Sequence, residues 1–154
     1  MQHLRKNNHM KKILALIIIS FISNNVKSQC LITLEQLELS NNLTSSQFDA
    51  FAVNNGFSFN PNRDEYLCNI PLKTGGHVML LRSLTKKGDN LVTYIFSDKE
   101  QFLFNKNTLE AQGELIETNN NTSTINYLYH QSLVSLTTVK FKKNTTYYLL
   151  ISNK

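Results

Sequence analysis

The hydrophobic pattern opens with a block. Residues 13–22 are apolar except for Ser20, follow Lys11-Lys12, and lead to Val26-Lys27-Ser28, which is small or β-branched at the positions that favour signal cleavage. A ten-residue block is about half of the ~20 residues needed to span a bilayer. It therefore predicts a signal peptide over 1–28, with Met10 as an alternative start. Beyond it the pattern turns helical behind three capping boxes: Thr33 to Gln36, Thr44 to Gln47, and Ser97 to Glu100. In the second helix Phe48, Phe51 and Ala52 share a face, Leu43 and Phe48 can form a hydrophobic staple, and Gly56 suits a left-handed end. In the third, Phe102, Asn105, Leu109 and Gln112 form a line that stops at Gly113.

The remaining segments alternate like strands: 65–72, 77–85, 91–96, 124–129, 133–141 and 146–151. Gly75-Gly76 and the stretch 86–90 supply turns between the first three. Tyr147 to Ile151 is apolar at every position, and 91–96 nearly so, which predicts central strands covered on both faces. An offset of 56 residues superposes Val78-Met79-Leu80 on Val134-Ser135-Leu136, 91–95 on 147–151, and Phe48 on Phe104. This predicts an α+β fold of two helix–β–β–β units, 41–97 and 98–154, forming one antiparallel sheet with helices packed on one face. Both units lie in a single domain, 29–154.

The segment Phe48-x-x-Phe51-x-x-x-x-Gly56-Phe57-x-Phe59 behind an export leader resembles small secreted proteins of Bacteroidota built from tandem helix-plus-strand units. Glu114 departs from that pattern, because an aromatic or aliphatic residue usually follows the second helix-ending glycine. The resemblance implies layout only; no functional residue is carried over with it.

Charge changes the picture once it is divided along the chain. The formal +5 comes from Arg5, Lys6, Lys11, Lys12 and Lys27 in the leader; residues 29–154 carry eleven basic and eleven acidic side chains. A neutral chain with no run of Lys/Arg longer than two lacks the footprint of a nucleic-acid or anionic-lipid binder. Export, to a periplasm or the extracellular space, makes a Cys30–Cys68 disulfide the first expectation. Its loop contributes about 4 kcal/mol by chain entropy. The alternative is a lipid anchor on Cys30.

Past the leader only His77 and His130 remain, so a three-histidine metal site is excluded by count. Gly75-Gly76 is a turn signal without the helix start of a phosphate loop, and no Gly-x-Ser-x-Gly elbow occurs. No cofactor motif is present. The six tyrosines, most on expected strands, serve either the core or an interface. These features favour a non-catalytic protein that binds another macromolecule, in the manner of an inhibitor or immunity protein. The alternative is a secreted hydrolase-type enzyme with a site near His77 and His130. A flat tyrosine-bearing sheet face favours binding; a deep pocket joining a histidine to carboxylates favours the enzyme.

Overall fold

A computed structural model describes residues 30–153; the expected signal peptide and the Met10 start lie outside them. Three helices, α1 (Leu34–Asn41), α2 (Ser45–Asn54) and α3 (Lys99–Gln112), accompany one antiparallel sheet of eight strands. The strands are β1 (Ser58–Asn60), β2 (Glu65–Pro71), β3 (His77–Leu84), β4 (Asn90–Phe96), β5 (Glu114–Asn119), β6 (Thr124–Tyr129), β7 (Ser132–Phe141) and β8 (Asn144–Asn153). Their spatial order is β1-β2-β3-β4-β8-β7-β6-β5. The two near-continuous apolar strands, β4 and β8, therefore pair at the centre, as their composition requires.

The first two capping boxes form with both arms: the Thr33 and Thr44 hydroxyls take the N–H of Gln36 and Gln47, whose side chains reach back to the cap N–H. α2 then closes as a Schellman turn, with Phe57 N–H donating to Ala52 C=O and Gly56 at φ 88°. The third start needs correction. Asp98, not Ser97, caps α3 by accepting from Gln101 N–H at 2.7 Å. Gln101 in turn spends its amide on Ile32 C=O and the Tyr94 hydroxyl, tying α3 to the chain that follows Cys30.

All three helices contribute to the core on one face of the sheet. Across the strands that face reads Tyr66–Leu80–Tyr94–Leu149–Leu136, then Val92–Ile151–Val134–Tyr127. Leu34 and Leu37 of α1, Phe48 and Ala52 of α2 and Leu109 of α3 pack onto it, each almost completely buried. Cys30 and Cys68 are bonded, with Cα atoms 6.1 Å apart. With its sulfur so engaged, Cys30 has no thiol left to carry a lipid.

Two parts of the expected repeat do not hold as written. Four strands follow α2 and four follow α3, where the repeat predicts three, because β1 and β5 join the sheet edges. The offset of 56 also fails at the centre. It maps Val92, on the helix-covered face, onto Tyr148, on the opposite one, since side chains alternate across a strand and an even shift between antiparallel partners of odd and even parity exchanges faces. On the helices it matches buried Phe48 to Phe104, which is 61% exposed.

Candidate functional site

Among the described residues no helix lies on the other face of the sheet. Its central rows read Met79–Ile95–Tyr148–Thr137–Thr124 and Leu81–Thr93–Leu150–Ser135–Asn126, without a charged side chain among them. The rows pass from largely apolar on β3, β4 and β8 to hydroxyl and amide on β7 and β6. There Ser135 donates to Asn126 Oδ1 at 2.7 Å, and the Thr124 and Thr137 hydroxyls meet at 2.9 Å. Ile95 and Ser152 are only 7% and 8% exposed on this uncovered face. Neighbouring turns supply the cover. Lys73 N–H donates to Ser97 Oγ, and Thr74 reaches the Thr146 hydroxyl at one end. At the other end a hollow of about 640 Å³ is bounded by the 85–89 turn on one side and Ile116 of β5 on the other, with Leu128 and Leu133 as its floor. Strands this far apart share a hollow only if the sheet curls, so the helix-free face is concave.

A second hollow, about 680 Å³, adjoins the first through Leu128 and Asn153 and holds the polar chemistry. Glu38, projecting from α1, takes the Nδ1 of His130 at 2.9 Å on one oxygen and the Ser132 hydroxyl at 3.2 Å on the other. The carboxylate is mostly buried and the imidazole mostly exposed. His130 stands in the β6–β7 turn at φ 52°, its ring against Tyr129. The contact to Glu38 is made through Nδ1 of the ring. Ser132 donates to the carboxylate rather than to the imidazole, so the three do not make a nucleophile–base relay, in which the histidine must stand between.

His77 is not part of this group. It opens β3, whereas His130 lies beside the row where β3 ends and β4 begins, so the two histidines occupy opposite ends of the sheet. Among the described residues no group of three or more His, Cys, Asp or Glu is placed to hold a metal ion. Glu38 is the residue that the sequence reading missed. It lies 92 positions before His130, and no local spacing links them.

Five of the six tyrosines belong to the core: Tyr66, Tyr94, Tyr127, Tyr129 and Tyr147. Only Tyr148 stands on the concave face, half-buried. The Tyr94 hydroxyl donates to Cys30 C=O at 2.6 Å, and burial pushes its pKa up to about 12. Tyr66 is also raised to about 12, by burial and then by its hydrogen bond to the Asp49 carboxylate. Burial raises Tyr127 and Tyr129 as well. These are structural hydroxyls held neutral. Compared with protein-family models, curated proteins and solved structures, the chain matches none.

Proposed function

We propose that this protein is exported and binds another macromolecule on the concave face without catalysing a reaction, as an inhibitor or immunity protein does. One observation carries the reading: a largely apolar strip on β3, β4 and β8, with no charge inside it and Glu65 of β2 at its edge beside Leu81, has no helix over it among the described residues. Interface centres are depleted of charge in this way, and a concave sheet suits a convex partner surface. Two further proposals accompany it. The apolar leader and the disulfide favour an oxidising compartment, periplasmic or extracellular. The mirrored order of β1–β4 and β5–β8 about the β4–β8 pair supports two related units, each a helix with its strands.

The test is affinity capture from the producing cells with the disulfide-bonded chain as bait, beside Tyr148→Ala and Leu133→Arg. A partner retained by the parent and lost by both variants, with melting temperatures unchanged, is the expected result. Equal capture by all three would end this reading. A hydrolase-type second reading is favoured by one observation, the Glu38–His130 pair beside an apolar hollow. It requires turnover of an ester or amide that disappears in His130→Ala and survives in His77→Ala.

A further inference from the structure

β7 and β8 outrun their neighbours. Pairing with β6 stops at Thr137 and pairing with β4 stops at Tyr147, but β7 and β8 continue through Val139–Thr146, Lys140–Thr145 and Phe141–Asn144. These last pairs form a two-stranded ribbon with no strand on either side. Thr146 is buried against Thr74, but the two outer pairs stand bare, and a bare ribbon is marginal in water. Its composition is the opposite of what an idle tip would carry. Val139 and Phe141 point to the same side and are 42% and 57% exposed; Lys142 and Lys143 follow Phe141 in the turn, and Lys140 projects from the opposite side of β7. The Lys142 ammonium sits 5.5 Å from the centre of the Phe141 ring. Between Glu117 and Lys154 the sequence contains no Asp or Glu, and none of the three lysines is paired with a carboxylate among the described residues. Even net charge along the chain thus hides a local concentration in space.

We infer that the β7–β8 tip docks on an anionic lipid surface, with Phe141 entering the headgroup layer and Lys142 and Lys143 of the turn held at its level. The pattern is that of an interfacial element, in which an apolar side chain enters while long cationic side chains keep their heads with the lipid phosphates. Each lysine near such a surface is worth about a fivefold gain in affinity, and the burial of Phe141 about tenfold. Binding is therefore weak, reversible and lost at high salt. Val139 and Phe141 continue the side of β7 that carries Ser135 and Thr137, but they lie beyond the rows shared with β6 and β4, so variants at the tip test this inference separately from the central strip.

The experiment is cosedimentation of the disulfide-bonded chain with vesicles of phosphatidylglycerol and phosphatidylcholine in equal parts, and with phosphatidylcholine alone. Lys142→Glu with Lys143→Glu should lower binding to the anionic vesicles at least about twentyfold, and Phe141→Ser about tenfold. Lys86→Glu with Lys87→Glu makes the same change in net charge at the other end of the sheet and should leave binding within about threefold. The chain has no tryptophan, so Phe141→Trp reports the tip alone, and its emission should shift to the blue on anionic vesicles. Equal loss in the Lys86/Lys87 control, no preference for the anionic vesicles, or an unshifted emission spectrum from the Phe141→Trp variant would each overturn the inference. So would binding to soluble polyglutamate with none to vesicles, which would give the tip to an acidic macromolecule instead.

Discussion

α2 with β1–β4 and α3 with β5–β8 share a layout and are held by different chemistry. In the first half Phe48 fills the space beneath α2, among the rings of Phe51 and Tyr66, with the Arg82 guanidinium 5.5 Å over its face. The corresponding depth beneath α3 is taken by Asn105 and Leu109, both fully buried, and the amide nitrogen and oxygen of Asn105 meet no partner. The helix ends differ as well. Gly56 is left-handed, while Gly113 is extended and needed for space, since a Cβ there would stand 2.8 Å from the Leu109 carbonyl oxygen. Only the first half is tied by a disulfide among the described residues. The difference teaches that position in the layer decides what is buried, and that the second half tolerates an uncompensated amide where the first has an aromatic ring.

Removing the tie should narrow the contrast most. Cys30→Ser with Cys68→Ser is expected to lose about 4 kcal/mol, the loop-closure value for a separation of 38 residues. Urea unfolding would measure it, and a loss below about 1 kcal/mol would mean that the first half is held by packing alone. Alkali should act next. The Tyr94 pKa lies at about 12 when folded against 10.0 for the free side chain. The unfolded chain therefore releases its proton first as pH rises. The contribution of Tyr94 is complete below the unfolded value and falls by about 3 kcal/mol as pH climbs to the folded one. Tyr66, raised to about 12, acts in the same window and in the same half. Urea midpoints that stay flat between these two values would contradict the burial assigned to both hydroxyls.

In the second half the expected sign is reversed. Asn105→Leu keeps the branched shape and the heavy-atom count and removes two unpartnered polar atoms, so it should gain about 1–2 kcal/mol in the same unfolding experiment. A loss instead would show that the amide has a partner and that α3 is as well anchored as α2. The smallest effects belong to the helix starts. Thr44→Ala and Asp98→Ala should each cost about 1 kcal/mol. Thr44 stands in a reciprocal box, so Gln47→Ala should add a loss at the α2 cap; the matching residue of α3, Gln101, bonds Ile32 and Tyr94 instead, so Gln101→Ala should loosen the core contact rather than the cap.

Local chemistry in the sequence foretells the local features. The boxes at Thr33 and Thr44, the Gly56 end, six strands and the disulfide partners all depend on neighbours or on a single possible pairing. The misses are cases where distant residues decide. β5 follows Gly113 without a turn and, bulged at Ile116 and exposed along most of its length, shows no alternation to read. β1 has three residues and exists because β2 lies beside it. Ser97 and Asp98 can both cap a helix, and the choice falls to Asp98 because Gln101 is drawn to Ile32 and Tyr94 from across the core. β4 and β8 are apolar on both sides and so predict cover on both, which leaves the side that the described helices take, the concave face and the Glu38–His130 contact invisible in the sequence.

The β4–β8 pairing has a consequence for assembly during synthesis. β4 acquires its second neighbour only from β8, the last of the eight strands in chain order, after α3 and β5–β7 have been made. Until that strand emerges, β1–β4 must wait as a four-stranded ribbon. Its most hydrophobic member, with Val92, Tyr94 and Ile95, forms a raw border open to any extended segment nearby. Closing the gap requires a contact across much of the chain, which slows folding relative to hairpin formation. Loss of β8 would leave two such borders, on β4 and β7, rather than one shortened sheet. Truncations that remove β8 should therefore accumulate as aggregates, whereas those that remove β1 should stay in solution.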